Sequence, residues 1–348
     1  MPLESFAITR VLLLAALSFA AAFAWAPALI RLLTRSGMAK TIRSSDEAPV
    51  YAKLHAKKAG TPTMGGVLVW GTVLVLAGLL NLFDTQLPFQ DGLAFISRSE
   101  TLLPLGVLVA SALVGLADDW LNVKRLGAHG GGLRARHRLL VYTLIAAVGA
   151  WWFYTKLDWD LLHVPFVGDF NLGLWYVPFF ILVIVSTAFS VNETDGLDGL
   201  AGGSLLMSFG AFAVIAFAQG KYDLAAFCGA IIGALLAFLW FNITPARMFM
   251  GDTGAMGLGV TLGVVAMLTN SALLLPVIGI VFVLESASVL LQLAWRMLFK
   301  RKLLKSAPFH HHLEAIGWSE PQIVMRLWVV SMVSSALGVS LALLDALR

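Results

Sequence analysis

Five short stretches combine carboxylates, amides, histidines and glycines in patterns that could handle phosphate groups. They are Lys57 to Gly66 (KKAGTPTMGG), the pair Asp118-Asp119, Asn192 to Gly199 (NETDGLDG), Asn242 to Asp252 (NITPARMFMGD) and Pro308 to His312 (PFHHH). Asp118, Asp119, Asp195, Asp198 and Asp252 come from three of these stretches, each beside an apolar run. Next to a membrane such carboxylates are costly unless solvated, paired or bound to a cation. A helix cap would explain any one of them. Five together, with Lys58 and His310, His311 and His312 on the same face, point instead to a shared site. Hard oxygen donors in a phosphate-handling site suit Mg²⁺, which takes one or two carboxylates and keeps water or substrate oxygens. Zinc fits less well, because adjacent histidines rarely converge on one ion and no cysteine joins them. The glycines flanking these stretches either open helix N-termini to an anion or permit close helix packing.

The elements that must position these residues are apolar helices. Of 348 residues, 59% are hydrophobic and 13% charged, against roughly 25% charged in soluble domains. The apolar residues gather into blocks of about 16 to 25, long enough to cross a hydrocarbon core. The chain is therefore expected to be an all-α polytopic membrane protein, a single integral membrane domain over residues 1–348. Ten spans are predicted: Val11 to Leu33, Gly65 to Phe83, Leu102 to Ala117, Leu139 to Tyr154, Leu174 to Val191, Leu200 to Ala218, Leu224 to Phe241, Ala255 to Leu268, Leu273 to Leu298 and Leu327 to Leu347. The eighth is short and the ninth long, so one should be sunk within the protein and the other tilted, kinked or extended past the bilayer. The opening MPLESFAITR leads into a run too long for a signal peptide and is expected to be a retained first span. The single cysteine, Cys228, lies inside a span and reads as packing. There is no convincing internal repeat.

Ten spans divide the connections into two sets, and 19 of the 24 Lys and Arg fall in the set that includes the polar stretches. The positive-inside rule makes that set cytoplasmic and both termini periplasmic. The same asymmetry accounts for the basic balance through orientation and anionic membrane lipids, without a nucleic-acid partner. On the opposite side His163 to Leu172 (HVPFVGDFNL) alternates around a Gly-Asp pair and could form a small hairpin. A transporter would instead hold its ionisable groups near the midplane between broken helices. Glu285 is the one acid deep in a predicted span and is expected to face the interior and bond a neighbouring helix, with a link to a lipid groove the lesser alternative.

GTPTMGG, the Asp-Asp pair, NxTDGLDGL, FMGD and APFHHHLE occur in an order and spacing that resemble the phospho-N-acetylmuramoyl-pentapeptide transferase family over nearly the whole chain. The resemblance implies a bacterial inner-membrane enzyme in which Mg²⁺ helps undecaprenyl phosphate attack UDP-N-acetylmuramoyl-pentapeptide, giving lipid I and UMP. It makes Asp118, Asp119, Asp252 and His311 the expected catalytic residues. Asp252 leads the expected Mg²⁺ ligands, with Asp118 and Asp119 beside it. Lys58, Thr63, Asn192, Asp195, Asp198, Asn242, Phe249, His310 and His312 are the expected substrate-binding residues, with Phe249 stacked on uracil. A homodimer is also implied. The wider superfamily includes N-acetylhexosamine-1-phosphate transferases using related lipids, a neighbouring alternative to which GTPTMGG and PFHHHLE are less suited. The chain departs from the family pattern at Glu193, where an apolar residue is more usual, and at Arg138, where lysine is.

Overall fold

The computed structural model describes residues 3–39, 58–83, 92–97, 100–126 and 131–348. Lys40, Arg43, Lys53, Lys57 and Arg98, which entered the charge count or the motifs, lie outside the described residues. Among the described residues ten helices are long and apolar enough to cross a membrane. In lipid each backbone N–H and C=O must be satisfied within its own segment, and a helix does this without a partner. They are α1 (Leu3–Arg35), α2 (Gly66–Phe83), α3 (Leu102–Val123), α4 (Ala135–Lys156), α5 (Tyr176–Thr194), α6 (Leu200–Ala218), α7 (Tyr222–Asn242), α8 (Gly251–Leu268), α10 (Ile280–Phe299) and α12 (Glu320–Asp345). Between them lie two shorter helices, α9 (Leu275–Ile278) and α11 (Phe309–Ala315), and two strands, β1 (Leu161–Val164) and β2 (Gly168–Asn171). Cys228 is buried in α7, as expected for packing.

Three boundaries differ from the sequence expectation in ways that matter for the site. Helix α3 runs on through Asp118-Asp119 to Val123 instead of ending at Ala117, so both aspartates are inside its last turns. The helix continues because those carboxylates find donors on neighbouring helices. Helix α8 starts at Gly251 instead of Ala255, which puts Asp252 in its first turn. The ninth span is kinked, one of the forms expected for it. Pro276 lies in the first turn of α9, and Gly279 separates α9 from α10.

Helix α8 is the axis of the bundle, with 94% of its best 18-residue window buried, against 22% for α1 and for α12. The short eighth span is thus the one sunk in protein. Its small residues explain how. A Cβ on Gly115 of α3 would overlap the Asp252–Thr253 backbone of α8, and one on Gly66 of α2 would overlap Gly254. Backbones approach this closely in membranes only where side chains are absent. That contact sets the starts of α2 and α8 and the end of α3 side by side. Elsewhere α5 packs along α8, α1 along α7, and α12 along α6. The outward faces of α1 and α12, with Leu12, Met325 and Val329 exposed, are left for lipid.

At the far end of the bundle the expected hairpin is present, with Val164 paired to Gly168. Its turn is Pro165 to Val167, with Phe166 left-handed at φ 67°; the Gly-Asp pair expected at the turn instead begins β2. The hairpin is latched to the end of α12. His163 Nδ1 lies 2.6 Å from Asp169 and its Nε2 bonds Asp345, whose other oxygen accepts the Phe166 N–H at 2.6 Å. Glu320, at the other end of α12, is among the polar stretches, so hairpin and acidic clusters occupy opposite ends of the molecule.

Partial burial pulls the pKa of His163 down, but its hydrogen bonds to Asp345 and Asp169 outweigh this and the net shift is upward. A raised folded-state pKa means that the latch stabilises fully below the unfolded value of about 6.5 and fades as pH rises through the folded one. Thermal melts of the wild type and His163→Gln should therefore differ most near about pH 6 and converge by about pH 9. A gap that is constant over that range would contradict this.

Candidate active site

Four helices bring their polar ends together around one guanidinium. Arg138, in the first turn of α4, donates from Nε to Asp118 Oδ2 at 2.7 Å and from Nη2 to Asp252 Oδ2 at 2.9 Å. Its Nη1 reaches Asn192 Oδ1 of α5 at a long 3.4 Å. Asn192 Nδ2 completes the ring by donating to Asp252 Oδ1 at 2.6 Å. Asp118 is fully buried, and its other oxygen accepts the Leu133 N–H. Two carboxylates held this close at the edge of a low-dielectric bundle would repel strongly, and the guanidinium offsets that repulsion while satisfying both. The carboxylate of Asp252 is 14% exposed, and each of its oxygens keeps a lone pair beyond the bond described.

Behind this ring, the start of α8 is capped by aspartates from two other segments. Asp119 Oδ2 accepts the Thr253 N–H at 3.0 Å, and Asp195 Oδ2 accepts the Gly251 N–H at 3.2 Å. Negative charge at a helix N-terminus is favourable to the dipole and satisfies donors that no helical carbonyl can reach. The N–H groups that the sequence suggested for an anion are, at these two positions, bonded to carboxylates. Thr63 is buried, and its hydroxyl lies 2.7 Å from where a Cβ on Gly251 would fall, beside the Asp119 carboxylate.

A second cluster adjoins the first. Lys58 Nζ bonds Asp198 Oδ1 at 2.6 Å and also Glu320 Oε1, which in turn accepts the Asp198 N–H at 2.8 Å. Lys58 stands 5.9 Å from the centre of the half-buried Phe249 ring. Asn242 is buried. It spans two segments, accepting from the Gly199 N–H at 2.9 Å and donating to the Met248 carbonyl at 2.9 Å. That pins the NETDGLDG loop to the segment before α8.

The histidines fall on α11, in the connection between α10 and α12. His310 is fully buried with Nδ1 2.9 Å from Glu285 of α10, and His311 Nδ1 lies 2.7 Å from Glu314. His312 Nδ1 accepts the Lys305 N–H at 3.2 Å. Glu285 is thus interior and bonded to a neighbouring helix, as expected, and that helix is the one carrying the histidines.

All thirteen sequence-derived site residues lie in these clusters. Sequence reasoning missed Arg138, noted only as a departure from a pattern, and Glu320 and Glu314. The available signal was position: Arg138 stands in the first turn of a span and Glu320 in the first turn of another, both beside residues of opposite charge across the fold. Among the described residues no group of three or more His, Cys, Asp or Glu is arranged to hold a metal. The donor set is all oxygen and converges on a cation, which suits an ion held by one or two carboxylates with substrate oxygens, not a protein cage.

A family model described as glycosyl transferase family 4 matches residues 101–270, and phospho-N-acetylmuramoyl-pentapeptide-transferase signature 1 matches residues 58–68. The chain is 41% identical to the phospho-N-acetylmuramoyl-pentapeptide-transferase of Chloroflexus aurantiacus, over 97% of this chain and 90% of that protein. It is 38% identical to the transferases of the same name from Geobacillus kaustophilus, over 93% and 95%, and from Rubrobacter xylanophilus, over 94% and 96%.

Arg138→Met leaves Asp118 buried without its cation. Stability should fall by about 3 kcal/mol, the low end for a severed buried pair because Arg138 is a quarter exposed. Arg138→Lys keeps the charge but cannot reach three groups with one point donor, so it should melt between wild type and Arg138→Met. Thermal unfolding of the three proteins in one detergent checks the order; equal melting of the Met variant and wild type would contradict it.

Proposed function

The chain belongs to the phospho-N-acetylmuramoyl-pentapeptide-transferase family and makes lipid I in peptidoglycan synthesis, and we propose that the transfer occurs at the ring formed by Arg138, Asp118, Asp252 and Asn192. The observation that carries this reading is the convergence of four helix ends on two carboxylates, one of them open to a substrate. The substrates that follow from the family are UDP-N-acetylmuramoyl-pentapeptide and a polyprenyl phosphate, here undecaprenyl phosphate. A phosphate oxygen of the lipid attacks the sugar-proximal phosphorus, and the bond from that phosphorus to UMP breaks.

The reaction brings two anions together, so neutralisation and alignment dominate its barrier. A phosphate monoester has a second pKa near 6. The lipid phosphate is therefore largely dianionic at neutral pH and needs orientation more than deprotonation. Mg²⁺, when bound, would neutralise the diphosphate as a Lewis acid. Asp252 fits as its carboxylate ligand because it is the open member of the ring. Asp118 and Asp119, also expected as ligands, are each bonded inside the framework, and their geometry supports holding Arg138 and the start of α8 in place. Lys58 beside Phe249 supports a nucleotide position with the uracil on the ring and the ammonium toward phosphate. Direct attack accounts for these groups without a covalent aspartyl intermediate. The charge asymmetry of the connections supports a cytoplasmic site in the bacterial inner membrane. A homodimer rests on the family resemblance alone.

A mostly apolar groove runs along α5 toward this ring. It is lined by Leu182, Val183, Thr187 and Ser190 of α5, facing Pro276 of α9 and Phe282 of α10. Ser190, toward the end of α5 that carries Asn192, bonds Ser286 of α10 at 2.9 Å, so a polyprenyl chain in the groove would run toward the end of the bundle that holds the ring.

Three results test this reading. Asp252→Asn should lower UMP release at least ~100-fold, the scale of losing a key electrostatic stabiliser, while the melting temperature barely moves. A destabilised but fully active variant would remove Asp252 from the site. Val183→Trp should raise the KM for undecaprenyl phosphate severalfold and leave that for the nucleotide sugar unchanged; equal effects on both would displace the lipid from the groove. Turnover of UDP-N-acetylglucosamine in preference to the muramoyl substrate would move the chain to the hexosamine branch.

A further inference from the structure

The three adjacent histidines of α11 are held in two opposite ways. Glu285 Oε2 accepts the His310 backbone N–H at 3.2 Å and faces the His310 ring at Nδ1, 2.9 Å away. An ionised carboxylate oxygen only accepts, so the ring nitrogen facing it donates; in the neutral ring the proton then sits on Nδ1 and the lone pair on Nε2. The His311 ring meets Glu314 in the same way, Nδ1 lying 2.7 Å from Oε2 of a carboxylate 6% exposed, while its backbone N–H donates to the Pro308 carbonyl. His312 reverses it. Its Nδ1 accepts the Lys305 N–H, which places the proton of the neutral ring on Nε2.

The two glutamates come from different places. Glu314 is on α11 itself, three residues after His311. Glu285 is on α10, two residues beyond Val283 and three beyond Phe282, both of which line the apolar groove. Helix α10 therefore forms a wall of the groove and also grips the histidine helix. His310 Nε2 is buried without a hydrogen-bond partner, and it faces Gly196, where a Cβ would overlap the imidazole. The ring thus presses on the backbone next to Asp195, which caps α8 beside Asp252.

We propose that Glu285 and Glu314 are positioning residues for the transfer reaction, fixing His310 and His311 as Nδ1–H tautomers opposite in sense to His312, so that His311 offers the site an acceptor nitrogen and His312 a donor while His310 braces the loop at Gly196. The proposal rests on the reading that α11 serves the reaction at the neighbouring ring. In that setting the His312 Nε2–H suits a phosphate oxygen, and the His311 Nε2 lone pair suits a hydroxyl or amide N–H of the sugar. Because the lipid phosphate is already largely ionised, these nitrogens orient the substrate and need not remove a proton from it. His310 acts on the loop at Gly196 instead of on substrate.

The first test needs no change to the glutamates. The full chain labelled with [¹⁵N]histidine reports the tautomer of each ring through its nitrogen shifts, and the spectra of His310→Gln, His311→Gln and His312→Gln assign the three signals. Nδ1–H for His310 and His311 with Nε2–H for His312 is the expected result. Three rings in one tautomer, or Nε2–H at His310 and His311, would overturn the proposal.

The second test is kinetic. Glutamine keeps the volume of glutamate but can turn an N–H toward Nδ1, which releases the tautomer. Glu285→Gln and Glu314→Gln should each lower kcat by ~10- to 100-fold, the scale on which orienting partners of histidine act. KM for both substrates should stay within about twofold, as expected when an interaction specific to the transition state is lost. In a His310→Gln or His311→Gln background respectively, the same glutamine substitution should cost nothing further, since its route of action is gone. Losses that multiply in the double variants would overturn the positioning role. So would a fall in melting temperature with unchanged turnover per folded molecule. If Glu285→Gln does not fold, Glu314→Gln and the nitrogen spectra decide. Full turnover in all three histidine variants would instead defeat the assignment of α11 to the reaction, and the proposal with it, while the tautomers are read independently.

Discussion

Two carboxylates from different helices meet at the buried start of α8, and one guanidinium keeps them there. Without Arg138, Asp118 would be an unpaired charge in the protein interior and would repel Asp252 across the gap between α3 and α8. With it, a pair of acids that opposes folding becomes a fixed anionic edge with one open member. The rest of the molecule serves that contact. Helix α8 is the most enclosed of the spans, and the missing side chains at Gly115, Gly66 and Gly254 allow α2 and α3 to approach it closely enough for the ring to close. Asp119 and Asp195 then hold the first turn of α8 by its N–H groups, so Asp252 is presented from a rigid helix end instead of a loop.

The same economy joins the apolar groove to the charged cluster beside Phe249, the places proposed for the lipid and the nucleotide. Helix α10 borders the apolar groove through Phe282 and, one turn later, grips His310 through Glu285. Lys58, Asp198 and Glu320 tie the segment before α2, the loop after α5 and the start of α12 into one charged knot next to Phe249. A phosphate carried on a membrane-bound chain and a diphosphate carried on a soluble nucleotide have to meet at one place and in line. A site built from the ends of spans, at the rim of a groove, meets that geometric demand.

Much of this was legible in the sequence because lipid imposes a simple grammar. Ten apolar blocks gave ten spans, and the mismatch between the eighth and ninth anticipated both the sunken α8 and the kink at Gly279. The polar motifs found their places because they interrupt that apolar pattern. What the sequence hid was pairing over long separations. Arg138 reads as one more basic residue flanking a span, and its three partners are 20, 54 and 114 positions away. The ends of α3 and α8 were misjudged for the same reason: a carboxylate looks like the end of an apolar run until its donors on other helices are known. Glu285 was read as interior, but nothing local to it pointed to the histidines 25 residues on.

The most direct test of the account is where a divalent ion and the diphosphate sit together. Crystals of the full chain grown with UDP-N-acetylmuramoyl-pentapeptide and Mn²⁺ in place of Mg²⁺ would locate the ion by its anomalous scattering. The account predicts one ion on the carboxylate of Asp252, bridging to a diphosphate that lies between Asn192 and the histidine helix, with Arg138 still bound to Asp118. An ion held by other residues, or a diphosphate seated away from this ring, would contradict it.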